Sequence, residues 1–222
     1  MQNNTRSLDG LSRRQVLRSG AAYLAGALLW SPHGLAAALL PTPPQTVGPF
    51  YPNVLPLDTD NDLVTIQGST ASAVGQITHV FGRMTDVDGR PVRNARVEIW
   101  QCDAFGRYIH TRDAGRGRRD GNFQGYGQTV TDADGQYRFR TIQPVAYSGR
   151  APHIHFAIHG HGFAPLTTQM YIAGAPENAD DFLLNSIQNS AARQALIVTL
   201  QPRPELEPEA LGGQFNIVLG NS

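Results

Sequence analysis

Tyr147-Ser148-Gly149-Arg150-Ala151-Pro152-His153-Ile154-His155-Phe156 brings a phenol, a guanidinium and two imidazoles within nine residues. From His153 onward polar and apolar residues alternate, the period of a half-buried β-strand. Ile154 and Phe156 then feed a core. His153 and His155 leave the opposite face, about 7 Å apart at a rise of about 3.3 Å per residue. That spacing lets two rings converge on one metal ion. A solvated histidine face is the alternative that the alternation alone leaves open.

Outward from this strand, short runs rich in β-branched and aromatic residues recur between Gly- and Asp-containing turns. They predict strands at Leu63–Ile66, Gln76–Thr85, Ala95–Gln101, Gln136–Ile142, His153–Ile158, Thr167–Ile172, Ala195–Leu200 and Phe215–Leu219. Asp86-Val87-Asp88-Gly89 and Asp132-Ala133-Asp134-Gly135 have the form of hairpin turns. Neither has the further acidic ligands and closing Glu of a calcium loop. Asn178–Ile187 is expected to be one short helix, with Asn178 as cap and Asp180 and Asp181 in its first turn. Arg112–Asp120 is too polar to pack and predicts an exposed loop. These elements predict an all-β fold: an antiparallel β-sandwich of eight or nine short strands, with one short helix and long loops.

The 222 residues suffice for one sizeable domain, and 41% hydrophobic against 16% charged residues marks a globular chain. Formal net charge is 0, with every basic residue an arginine. Four arginines and one acid fall in residues 1–38, so the remainder carries a net of −3. A mildly acidic body without a basic stripe argues against nucleic acid as a partner. Ser12-Arg13-Arg14-Gln15-Val16-Leu17, the apolar run Ala21–Trp30 and Ala36-Ala37-Ala38 have the form of an export signal, with small residues for cleavage. The run is short for a membrane span, which needs about 20 apolar residues, so no span is expected in the mature protein. The paired arginines resemble a twin-arginine signal, which exports proteins already folded. The expected organisation is therefore a signal over residues 1–38, a single domain over 39–222, and a periplasmic location. The lone cysteine, Cys102, excludes an intramolecular disulfide and a cysteine-based metal site. A small buried residue on a strand is its expected role.

An ordered set of motifs narrows the reading. Gly48-Pro49-Phe50-Tyr51-Pro52 is followed by Glu98-Ile99-Trp100-Gln101-Cys102-Asp103-Ala104-Phe105-Gly106-Arg107-Tyr108. Next come the stretch from Thr131 to Pro144, then Tyr147 with Arg150-Ala151-Pro152-His153-Ile154-His155, then Thr168-Gln169-Met170-Tyr171. Over residues 44–200 this order resembles the intradiol ring-cleavage dioxygenases, the non-haem iron(III) family of catechol and protocatechuate dioxygenases. The resemblance implies an Fe(III) ion held by Tyr108, Tyr147, His153 and His155. Hard Fe(III) suits phenolate oxygens with imidazoles, and two tyrosinates with a hydroxide neutralise its charge. The resemblance further implies that a catechol-type substrate takes the place of the Tyr147 ligand. O2 then opens the ring between the two hydroxylated carbons, giving a muconate. Arg150 would stabilise charge developing on the substrate, and Gln169 matches a family glutamine near the ring. Tyr51 is expected at the pocket mouth or as a packing aromatic.

Other residues are expected to stay outside the site. His159 lies roughly 20 Å along the strand from His153 at about 3.3 Å per residue, so His159 and His161 are expected at the surface. Tyr126, Tyr137 and Tyr171 are expected to pack. The turn between Tyr147 and Arg150 is shorter than in protocatechuate enzymes and lacks their tryptophan after the tyrosine. No counterpart of the helical N-terminal dimerisation segment of catechol 1,2-dioxygenases is expected from these residues. Ring substituents are thus undefined, and a homo-oligomer is left open. The competing reading is an exported, prealbumin-like β-sandwich that binds a partner and carries no catalytic iron.

Overall fold

Residues 38–115 and 117–220 are described by a computed structural model of the chain. The signal expected over residues 1–38 lies, apart from Ala38, outside the described residues. Ten strands form two sheets: β1 (Ile77–Asp86), β2 (Arg96–Trp100), β3 (Tyr126–Val130), β4 (Gln136–Ile142), β5 (His153–His159), β6 (Leu166–Ile172), β7 (Ile197–Val198), β8 (Gln201–Pro202), β9 (Leu211–Gln214) and β10 (Ile217–Leu219). The first sheet is built on β1, which pairs antiparallel with β4 and parallel with β9 and β10, with β8 beside β9. The second has the order β3-β2-β5-β6-β7.

Alternation drives the assembly. Val80, Met84 and Phe139 of the first sheet meet Val97, Ile99, Ile154, Phe156 and Met170 of the second in one core, each fully buried. Burying one such side chain contributes about 1.5–3 kcal/mol. Alternation thus leaves His153 and His155 on the face of the second sheet that points away from this core. Among the described residues no helix is long and apolar enough to cross a membrane.

The all-β sandwich is as expected, and four details differ. The sheets are mixed, not antiparallel: β9 and β10 pair parallel with β1, and β7 pairs parallel with β6. The two Asp-x-Asp-Gly turns form, with Asp86 and Asp132 each accepting two backbone N–H groups. They carry the chain from one sheet to the other, however, since β1 and β4 lie in one sheet and β2 and β3 in the other. The helix expected over Asn178–Ile187 begins later, with Pro176–Ala179 a 3-10 turn and α1 only Phe182–Asn185, and a second helix, α2, spans Ser190–Ala195. The cap of α1 is Asp181, whose carboxylate accepts from the N–H groups of Leu183 and Leu184. Leu63 and Val64 are fully buried but belong to no strand, because Thr65 makes only an isolated bridge to Ser72.

Candidate metal centre

Strand register assembles the site. His155 faces Trp100 on β2 and Gln169 on β6, and His153 faces Tyr171 on β6. Directly opposed residues share a face, so these five side chains form one patch. Trp100 lies flat on His155, ring centroids 4.7 Å apart and planes 8° from parallel. That stack fixes the imidazole plane.

Two loops bring the phenols. Tyr108, 2% exposed, follows β2 in a loop held by Asp113, which accepts the Tyr108 N–H at 2.6 Å and pairs with Arg107 at 3.2 Å. The loop over Arg112–Asp120 is mostly exposed as expected, but Asp113 and the buried Asp120 are drawn in as supports. Tyr147 comes from the β4–β5 connection. Ser148 and Gly149 both have positive φ, 44° and 77°, the signature of a tight hairpin turn. Backbone bonds between Tyr147 and Arg150 close that turn and set the phenol beside the guanidinium.

The four rings close on one another. Centroids are 5.2 Å apart for Tyr108–Tyr147, 5.5 Å for Tyr147–His153, 4.8 Å for His153–His155 and 6.1 Å for His155–Tyr108. Nε2 of His153 lies 3.1 Å from Nε2 of His155, the separation two donors would show if each lay about 2.1 Å from a shared ion at a right angle. His153 Nδ1 donates to the Ala151 carbonyl at 2.7 Å, which leaves Nε2 with its lone pair. Burial, then Arg150, lowers His153 to about 4. Burial, followed by His153 and Arg150, holds His155 well below the usual range. Both imidazoles are therefore neutral donors at neutral pH. Burial, aided by the nearby Tyr147, pushes the Tyr108 phenol well above its ordinary range, and burial also raises Tyr147.

The Tyr108 hydroxyl and His155 Nδ1 are buried without a hydrogen-bond partner. An unsatisfied buried polar group costs about 1–3 kcal/mol. Among the described residues, no three of His, Cys, Asp and Glu converge, so any metal held here must take the phenols as ligands. Two phenols with two imidazoles suit a hard trivalent ion, and the residues present fit Fe(III).

Arg150 is held from three sides. Its Nε donates to Asp181 at 2.8 Å, and its Nη2 donates to Gln169 at 2.7 Å and to the Tyr171 hydroxyl at 3.1 Å. The Phe182 ring covers it, 5.6 Å from Cζ to the centroid. Nη1 has no hydrogen-bond partner among the described residues. Burial opposes charge on both partners, yet their hydrogen bond raises Arg150 and lowers Asp181 from their ordinary values. Gln169 also donates to the Thr46 carbonyl at 3.2 Å, which ties it to the N-terminal segment.

Sequence reasoning missed Asp181, placed there in a first turn, and Tyr171, placed there as packing alone. Tyr171 is fully buried, but its hydroxyl belongs to the arginine network. Asp181 caps α1 and also accepts the Ala151 N–H at 2.9 Å, so one carboxylate ties helix, arginine and the approach to His153 together. The sequence reading placed the cap at Asn178 instead, and the arginine partner 31 residues away left no local signal.

The remaining candidates fall outside. Tyr51 is a packing aromatic with a polar end: it meets Trp100 edge-on and donates to the buried Glu98 at 2.9 Å. Tyr126 and Tyr137 pack as expected. His161 is exposed, and His159 is half-exposed, 3.9 Å from Glu98. Cys102 is buried, and burial pushes its thiol up to about 12.

A family model described as "Dioxygenase" matches residues 46–221. The chain is 41% identical over 168 residues to the protocatechuate 3,4-dioxygenase beta chain of Burkholderia cepacia, covering 72% of this chain and 71% of that one. It is 32% identical over 155 residues to the catechol 1,2-dioxygenase of Acinetobacter baylyi, covering 62% of this chain and 46% of that one, so it spans under half the catechol enzyme's length. Among solved structures, it is similar to the dioxygenase domain of a dioxygenase–carbohydrate-binding fusion from Streptomyces sp. SirexAA-E. That likeness has a TM-score of 0.62 and 30% identity, covering 82% of this chain and 99% of the other.

Proposed function

Because the chain belongs to the intradiol ring-cleavage dioxygenases, we propose that it opens a catechol-type ring between its two hydroxylated carbons with O2. In this reading Fe(III) is held by Tyr108, Tyr147, His153 and His155. The observation that carries it is the closed circuit of two phenols and two imidazoles with a fixed guanidinium alongside. The iron-free binding sandwich is not favoured by these relatives.

When bound, the iron supplies Lewis acidity and an acceptor for electron density from the catechol ring. The protein supplies the rest. Trp100 and the Ala151 carbonyl fix the two imidazoles, so His155 and His153 meet the substrate side in one orientation. Tyr108 is locked by Asp113 and stacks on Phe50 at 5.1 Å, which keeps water from its oxygen. Tyr147 differs, being half-exposed on a two-residue turn. As the substrate arrives, its phenolate oxygen takes a catechol proton, making Tyr147 the internal base. Arg150 Nη1 then faces developing negative charge on the opening ring. In a water-excluded site a fixed guanidinium is worth far more than in solvent.

Oxygen uptake by full-length protein from iron-replete cells, assayed over a panel of catechols, tests the reading. The expected protein is red-brown from tyrosinate-to-iron charge transfer, binds one iron per chain and consumes O2 in proportion to catechol. Tyr147→Phe is expected to keep iron and lose about 10²-fold in turnover, about 2.7 kcal/mol of barrier. Stoichiometric zinc without visible absorption would sink the proposal.

A further inference from the structure

A cavity lies on the first sheet, on the face of β1 and β4 turned away from the core. At about 750 Å³ it is well within the range of small-molecule sites. Its floor is Phe81, which stands opposite Arg138 on β4 and Gln214 on β9. Arg83, two residues along β1, faces Gln136. From the segment after β8, Arg203 reaches over the Phe81 ring, with Cζ 5.9 Å from the centroid. Gly212 makes room for that approach, because a Cβ there would lie 2.5 Å from Arg203 Cγ.

The cationic groups here are under-used. Among the described residues, Arg138 makes no ion pair, and the Arg83 guanidinium donates only to the Asp134 carbonyl. Arg203 Nε is buried without a partner, and its only carboxylate, Glu205, is 3.5 Å from Nη1 in an exposed pair. The other acid lining the cavity, Asp132, is occupied by the N–H groups of Asp134 and Gln136. Three guanidinia therefore line a cavity floored by one aromatic ring, with Gln136 and Gln214 also in the lining. Guanidinium groups bind carboxylates in bidentate fashion, and the ring face suits a flat conjugated body. Arg138 and Arg203 approach Phe81 from different elements, which favours a ligand with a carboxylate at each end.

We propose that this cavity binds a conjugated dicarboxylate, the compound class that ring cleavage of a catechol releases, at a site separate from the four rings. Opening the ring between two hydroxylated carbons with O2 leaves both carbons as carboxylates joined by a diene, which matches two guanidinia across an aromatic floor. The choice of a dicarboxylate rests on the ring-cleavage reading; the cavity and its free cations do not.

Calorimetric titration of the full-length, iron-loaded protein with cis,cis-muconate tests this, with inorganic phosphate as the comparison anion. Saturable muconate binding is expected, weakened at least about tenfold in Arg138→Gln and in Arg83→Gln, with oxygen uptake unchanged in both. His155→Ala is expected to bind muconate as the native protein does. Binding lost in His155→Ala but kept in Arg138→Gln would place the dicarboxylate at the four rings and overturn the proposal. Equal affinity for phosphate would reduce the cavity to a general anion patch, and absence of saturable binding would overturn it outright. Arg138-dependent muconate binding by a protein that cleaves no catechol would remove the ring-cleavage reading and leave this site standing.

Discussion

His79 on the first sheet is as buried as His153 and His155 on the second, yet its surroundings are of a different kind. Nε2 of His79 lies 3.4 Å from Glu207, which takes a two-point contact from Arg140, and Arg140 also holds Asp62 at 3.0 Å. One guanidinium, Arg140, and two carboxylates, Asp62 and Glu207, are paired with each other there. Among the described residues no carboxylate pairs with His153 or His155; the neighbours are each other, the phenols of Tyr108, Tyr147 and Tyr171, and an indole. Burial lowers the imidazole pKa on both faces, so burial does not tell a site from a strut. Hydrogen-bond satisfaction does not tell them apart either, since both ring nitrogens of His79 also lack a hydrogen-bond partner; what does is whether further lone-pair donors converge on the imidazole. Two imidazoles and two phenols converging leave room for a cation, whereas a single imidazole beside carboxylates already paired with Arg140 does not.

The sharpest way to break this contrast is to remove one histidine from each face. His155→Ala is expected to lose most of its iron and more than about 10³-fold in turnover, about 4 kcal/mol of barrier. His79→Ala is expected to keep both and lose about 1–3 kcal/mol of stability. Metal analysis, oxygen uptake and urea unfolding on the two variants would settle it. Equal iron in both would place the metal elsewhere.

Asp181→Asn comes next. It removes the charge that holds Arg150, and breaking a buried pair costs about 3 kcal/mol or more. Turnover is expected to fall about 10²-fold through misplacement of the guanidinium, with the iron colour retained. Retained colour with unchanged turnover would reduce Asp181 to a helix cap.

How much of this was legible beforehand follows the range of each interaction. The His-x-His strand could be read because its period is local, and β1, β4, β5 and β6 fall within a residue of expectation at either end. β9 contains Gly212 and Gly213 and β3 contains Gly127, which blunt the apolar alternation, so neither strand was anticipated. Parallel pairing of β9 and β10 with β1 leaves no hairpin signal, because partners more than 130 residues apart share no turn. Tyr108 and Tyr147 were legible only as members of an ordered motif set. Trp100 behind His155 and Asp181 behind Arg150 depend on register and long-range closure, which no spacing encodes.

Acid titration sharpens the comparison between the faces. In metal-free protein His79, His153 and His155 all have folded values below 6.5. The unfolded chain therefore takes up protons first, and stability is full above about pH 6.5 and lost progressively as pH falls below it. For His153 the loss should continue to about pH 4. Iron competes with protons only at the second face, so loading should flatten that part of the curve and leave the His79 contribution in place. Thermal unfolding across pH 4–8, with and without iron, measures this. Identical curves would mean that the metal does not engage the two imidazoles.

The smallest expected effect comes from two glycines with nearly the same backbone angle. Gly135, φ 75°, leads into β4, and a Cβ there would lie 2.4 Å from the Met84 carbonyl, so alanine adds a clash to the unfavourable angle. Gly149, φ 77°, sits in the Tyr147 turn with nothing within 4 Å of an added Cβ. Gly149→Ala should therefore cost only the angular strain, about 1 kcal/mol, against about 3 kcal/mol for Gly135→Ala once overpacking is added. The turn at Gly149 sets the reach of Tyr147 but little of the core, so that modest cost should appear chiefly in how fast the phenol yields to substrate. Rapid mixing with a catechol would show slower binding in Gly149→Ala while iron content and the His79 cluster stay as they are. Unchanged binding kinetics would mean that Tyr147 does not need this turn to move.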